Sequence, residues 1–167
     1  MHRQVRQVAA LAAALALGAC PSAPQRSPPP ATAAGGDAGT GAFQASLTGP
    51  GRIAAGSGGE LVVEVSARQG FHVNDDYPHA FRPTPAEGVQ FGADKFDLRQ
   101  GWERTPCASE PDHACTFRAK VPFKATDKGQ RRAEGVVAFS VCNPEICLIE
   151  KVPVSAVIEA TGSSPTP

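Results

Sequence analysis

Two cysteines late in the chain, Cys142 and Cys147, are spaced so that they can do chemistry together. Between them lies Asn143-Pro144-Glu145-Ile146, and Asn and Pro favour chain reversal. On either side, Val136 to Val141 and Leu148 to Ile158 are rich in Val, Ile and Phe, which favour strands. The pattern predicts a β-hairpin with one cysteine at the inner end of each arm. Residues facing each other across a hairpin have Cβ atoms about 4.5–5.5 Å apart, close to what a disulfide requires. The chemistry on offer is a sulfur–sulfur bond at a tip, where a partner thiolate can reach and open it. The same bond can also act as a staple. Closing a loop of six residues is worth about 2 kcal/mol, against about 4.7 kcal/mol for a loop of a hundred. As a staple the pair contributes relatively little, and the residues alone leave both roles open.

The remaining candidates are weaker. Cys107 and Cys115 enclose a polar, turn-forming stretch, Ala-Ser-Glu-Pro-Asp-His-Ala. They are expected to form a structural disulfide that staples a surface loop, worth about 2.6 kcal/mol by the same loop entropy. His113 lies inside this loop, but Cys-x5-His-x-Cys matches no common zinc spacing. His72 and His79 flank Asp75-Asp76, a grouping of types that can ligate copper or zinc or lower a thiol pKa. They read as loop histidines, so neither a metal nor a cofactor is expected. Trp102 reads as a core or edge aromatic. There is no G-x-S-x-G, no H-E-x-x-H and no Gly-rich phosphate loop, so hydrolase and nucleotide-binding classes have no support.

The N-terminus gives an address. Arg3 and Arg6 precede an apolar run, Val8 to Leu17, that ends in Leu17-Gly18-Ala19-Cys20. A basic start, a short apolar core and small residues at its end make a secretory signal, and the run is too short to span a bilayer. Leu-Gly-Ala-Cys resembles the bacterial lipobox, in which the cysteine becomes lipid-modified and the new N-terminus. Residues 1–19 are therefore expected to be a lipoprotein signal peptide and Cys20 the lipidation site. The acyl chains would be the only membrane anchor. Pro21, rather than Asp, after the lipid-bearing cysteine points to the outer membrane, with the protein facing the periplasm. Export places the other four cysteines where disulfides persist. The 16 basic and 16 acidic residues cancel, and no Lys/Arg-rich run suggests nucleic acid.

Residues 20–42, rich in Pro, Ala and Gly, have almost nothing to bury and form a tether. Its residues from Pro21 on would reach on the order of 70 Å if fully extended. The folded domain spans residues 43–160. Glu60 to Ala67 alternates, with Leu61, Val63, Val65 and Ala67 facing inward and only Val62 out of step. Cys115 to Phe123 alternates again, with Phe117, Ala119, Val121 and Phe123 inward. Phe43 to Leu47, Gly70 to Asn74, Val89 to Phe91 and Phe96 to Leu98 are shorter strand candidates. Asp75 to Gly88 is a long loop, Thr126 to Arg132 a polar turn and residues 161–167 a disordered tail. No stretch after the signal shows a helical apolar repeat. Seven to nine short strands with Gly/Pro turns imply an all-β, antiparallel sandwich or barrel.

The segment Gly135-Val-Val-Ala-Phe-Ser-Val-Cys142-Asn-Pro-Glu-Ile-Cys147-Leu resembles the active-site hairpin of a known family. That family is the N-terminal periplasmic domain of DsbD-type thiol:disulfide interchange proteins, also called the disulfide-bond corrector-like domain. Gly70-Phe-His-Val-Asn74 and the following loop through Tyr77-Pro78 are similar to it too, and the likeness spans about Phe43 to Ala160. The resemblance implies an immunoglobulin-like sandwich that exchanges electrons with periplasmic thioredoxin-like proteins, as donor or acceptor. It implies that Cys142 and Cys147 are the catalytic pair, with Cys147 forming the mixed disulfide and Cys142 resolving it. It also implies a cap loop over the pair, for which Phe71, His72 and Tyr77 are the candidates. This chain has one residue fewer between the cysteines than the best-known members. It ends without their transmembrane and thioredoxin domains, so a separate electron donor is expected. Cys107 and Cys115 are not part of the pattern. The alternative reading is a non-catalytic immunoglobulin-like binding module with two structural disulfides.

Overall fold

The computed structural model describes residues 38–68 and 70–162. The signal peptide, Cys20, most of the tether and most of the C-terminal tail lie outside the described residues. Twelve strands run through the rest: β1 (Ala38–Gly39), β2 (Phe43–Thr48), β3 (Arg52–Ala54), β4 (Gly58–Ala67), β5 (His72–Val73) and β6 (Ala80–Thr84), then β7 (Val89–Phe91), β8 (Phe96–Asp97), β9 (Glu103–Pro106), β10 (Ala114–Ala125), β11 (Gly129–Cys142) and β12 (Cys147–Thr161).

The two alternating segments form the strands they predict. Leu61, Val63 and Val65 of β4 are fully buried, and so are Phe117 and Val121 of β10. The two strands pair antiparallel from Thr116 opposite Ser66 to Lys124 opposite Gly58. With β2 on the free side of β4 they make one layer. The second layer is β6, β11 and β12. The short β5 joins the layers, because Val73 pairs with Ala114 of β10 on one side and Val141 of β11 on the other. The layers face each other over a common core, in which the Phe43 ring of β2 meets the Phe139 ring of β11 edge-on at 4.9 Å. Among the described strands, only β3 with β12 pairs in parallel. The domain is all-β, an immunoglobulin-like antiparallel sandwich, with no helix among the described residues.

Three segments differ from expectation. The long loop after Asp75 contains a strand, β6, although Pro83 lies within it. β6 pairs with β8 only at Ala80 and Phe81, so near Pro83 its outer side is an edge, where a missing N–H costs no ladder bond. β6 pairs with β11 along its whole length, and Phe81, fully buried and seated over Gly135, anchors it to the core. β9 escaped the alternation test because all four of its side chains are exposed along the rim of β10. The polar turn is shorter than expected, because β11 already begins at Gly129. That glycine has φ +101°, which suits a residue without Cβ at the start of the arm. Ordered structure also starts before Phe43: β1 pairs with β2, and Ala42 is buried.

The seat of Phe81 generates a prediction. A Cβ on Gly135 would lie 2.4 Å from the Phe81 ring and 2.6 Å from the Arg82 carbonyl oxygen, which is backbone and cannot rotate away. Gly135→Ala should therefore destabilise the domain by about 1–3 kcal/mol in chemical denaturation. Gly92→Ala should stay within about 0.5 kcal/mol of the parent, since no atom lies within 4 Å of a Cβ there.

Candidate functional site: a disulfide at the hairpin tip beside a second disulfide loop

The β11–β12 ladder runs from Gly129 opposite Ala160 to Cys142 opposite Cys147. Its last rung is a disulfide, with Cα atoms 4.0 Å apart. The reversal beyond it uses the side-chain chemistry that Asn offers. The Asn143 N–H donates to the Ile146 carbonyl at 2.9 Å. The Asn143 Oδ1 accepts from the N–H groups of Glu145 and Ile146, at 2.9 and 2.8 Å. Pro144, at the first central position, brings its φ already set.

The two sulfurs stand in different surroundings. Val141 and its partner Val73 both point into the core, so their neighbours Cys142 and His72, also paired, lie on the outer face of the sheet. Cys142 is nonetheless only 6% exposed. Both faces of β11 are covered here, since Ser140, Val141 and Cys142 are all buried, and the Asn74 N–H donates to the Ser140 carbonyl, which carries the β5–β11 pairing one residue further. Cys147, on the free arm, is exposed. Among the described residues, Ile146 at the tip and Ile149, two residues beyond Cys147 on the same face, are the large apolar side chains left in water, at 54% and 64% exposure. Sequence reading did not single them out, although an isoleucine inside a polar turn is a visible signal.

Cys107 and Cys115 are also bonded, with Cα atoms 4.7 Å apart. The loop they close has internal order: the Cys107 N–H donates to the His113 carbonyl at 2.9 Å, and the His113 N–H to the Glu110 carbonyl at 3.0 Å. Cys115 sits where the β9–β10 register shifts, and its Sγ lies 4.0 Å from the Phe71 carbonyl oxygen. β5 thus holds the two disulfides on opposite flanks. Across this strand the His72 ring stacks on the His113 ring with centroids 3.9 Å apart. His72 Nδ1 is 4.0 Å from Glu110 Oε2.

The cap-loop candidates part company. His72 lies opposite Cys142, and Phe71 is half-buried against the core. The Tyr77 ring meets His79 edge-on at 5.6 Å. His79 is a core residue, 1% exposed, against Phe117 and Trp102. Its Nε2–H donates to the Asn74 carbonyl at 2.9 Å, since a carbonyl can only accept. Trp102 packs at the core edge under the Arg104 guanidinium, which also pairs with Asp75. The grouping of His72 with His79 suggested by the sequence is therefore replaced by His72 with His113 and Glu110. Glu110 carries no signal in the sequence, since only the fold brings the loop to β5.

Burial pushes both His72 and His79 below the usual imidazole pKa of 6.5. The nearby His113 adds to the effect at His72, while Glu110 and Asp75 oppose it. At His79 the Asn74 hydrogen bond and Asp75 oppose it.

No protein-family model matches the chain, and no curated protein matches it at significance. Among solved structures it is similar to a cohesin module from the family 33 glycoside hydrolase of Clostridium perfringens ATCC13124. The match covers 73% of this chain and 100% of that one, at 10% identity and a TM-score of 0.38. A likeness at that level carries no argument about what this chain does.

The histidines generate a pH prediction. Their folded pKa values lie below the unfolded value, so the unfolded state binds protons first as the medium is acidified. Their contribution to stability is complete above pH 6.5 and is lost as pH falls below 6.5 toward the folded pKa values. Urea denaturation should show the domain less stable at pH 5.5 than at pH 7.5. His79→Gln, which keeps a donor for the Asn74 carbonyl, should shrink that difference.

Proposed function

We propose that the domain is a thiol:disulfide interchange module that exchanges electrons with thioredoxin-like proteins through Cys142 and Cys147. The observation that carries this reading is the asymmetry of the pair: one sulfur-bearing residue exposed on a free arm, the other buried beside it. A partner can reach Cys147 but not Cys142. That matches the division of labour implied by the resemblance to the periplasmic interchange domains. Ile146 and Ile149 would supply apolar contact for a partner that must sit on the tip long enough to react.

In the reducing direction, the Cys147 thiolate attacks one sulfur of a partner disulfide. That bond breaks, a mixed disulfide forms and the partner's other sulfur leaves as a thiolate, which takes up a proton. The Cys142 thiol loses its proton and attacks Cys147 Sγ. The intramolecular disulfide forms and the second partner thiol is released. Two electrons and two protons pass to the partner. Run backward, with a dithiol partner, the same steps reduce the domain. The thiolate is the nucleophile throughout. Export through the signal peptide and anchoring at Cys20 belong to the same proposal, since an oxidising periplasm is where such exchange has substrates.

Trapping tests the reading. In a Cys20→Ser background, Cys142→Ala leaves Cys147 unpaired. Mixed with an oxidised thioredoxin-like protein, it should give a reducible heterodimer on a non-reducing gel. Cys147→Ala should form that adduct roughly tenfold more slowly or worse, because Cys142 is buried. Adducts from neither variant, or from both at equal rates, would count against the proposal and favour a binding module with two structural disulfides.

A further inference from the structure

We infer that His72, Glu110 and His113 form a binding site for a divalent first-row transition-metal ion, of which Zn²⁺ is the natural probe. Each residue offers one ligand atom, and the three atoms lie within 4.8 Å of one another. Two imidazole nitrogens and one carboxylate oxygen are the donor set of zinc sites with an open position. Calcium and magnesium prefer oxygen ligands, and copper(I) and iron–sulfur clusters prefer thiolates, so the donor set selects against both.

The ligands come from two elements that are each held in place. His72 lies on β5, which is paired on both sides. Glu110 and His113 are the first and last residues of a turn closed by the His113 N–H to Glu110 carbonyl bond. That turn is tied down again by the Cys107 N–H to His113 carbonyl bond and by the Cys107–Cys115 disulfide. This gives the second disulfide a purpose beyond loop closure: it aims two side chains at a third on another strand.

Ligand atoms about 2.0–2.2 Å from a zinc ion stand about 3.4 Å apart in a tetrahedral array. The site therefore has to draw in by up to about 1.4 Å from the observed spread of 4.8 Å. Glu110 and His113 are exposed, and the His113 ring turns out of its stack on His72 to aim a nitrogen at the shared ion, while His72 is half-buried on β5. The exposed side also leaves the remaining coordination position open to water or to a ligand from a partner.

The test is a zinc titration of the full chain with both disulfides intact, so that no thiolate from either pair competes, read against a chromophoric chelator. One ion per chain is expected. His113→Ala should lower the affinity by roughly tenfold or more, since loss of even an outer-shell partner costs that much at metal sites. Glu110→Gln should weaken it in the same direction. Asp112→Asn, which removes a charge from the exposed neighbour in the same turn, should leave it unchanged. Unaltered zinc binding in His113→Ala, or binding that survives in a His72→Ala/His113→Ala double variant, would overturn the assignment. Glu110, Asp112 and His113 are exposed, so the single variants should fold as the parent does.

Discussion

The long antiparallel ladder between β11 and β12 is the constraint on which the rest of the site depends. It carries one face of the core through Val137, Phe139 and Val141 of β11 and through Val152, Val154 and Ile158 of β12. Because side chains alternate strictly along a strand, a slip of one residue would turn that whole set outward. The register is therefore set by burial, and the position of Cys142 opposite Cys147 follows from it. The disulfide inherits its geometry from the ladder. It is not what creates the ladder.

That ordering bears on function. A bond across a loop of six residues adds about 2 kcal/mol at most by chain entropy, at a place where backbone pairing, Asn143 and Pro144 already fix the chain. The fold does not lean on this bond, so opening it need not open the domain. β5 makes the complementary contribution. Two residues long, it is wedged between β10 and β11. It therefore places His72 beside the buried sulfur on one side and beside the second disulfide loop on the other. The two cysteine pairs are neighbours in space because of this one short strand.

How much of this could be read beforehand follows from the same physics. β4 and β10 were legible because each has one face in the core and one in water, so burial is written as a period of two. The hairpin was legible because turn residues sit between two β-branched runs. β6 was not, since a proline and two polar neighbours hide a strand that pairs with β11 and is anchored in the core by the ring of Phe81. β9 was not, since an exposed rim strand has no pattern to show. At the site, Cys142 and Cys147 announced themselves by short spacing. The meeting of His72 with His113 and Glu110 did not, because it depends on a tertiary crossing from β5 to the loop before β10. The difference in exposure between the two sulfurs was also hidden. It goes with the pairing of β5 with β11 at Cys142, while β12 meets its second partner only at Glu159 to Thr161, and neither has a signature in the hairpin itself.

Under the proposed function the Cys142–Cys147 bond is made to be broken, and its reduction potential decides whether it is. The protein would be equilibrated in glutathione or thioredoxin redox buffers, quenched by alkylation and read by mass spectrometry, so that the two cysteine pairs are scored separately. A midpoint of about −200 mV is expected for Cys142–Cys147, within reach of thiol:disulfide exchange partners. A midpoint below about −300 mV, where structural disulfides of secreted proteins lie, would contradict it.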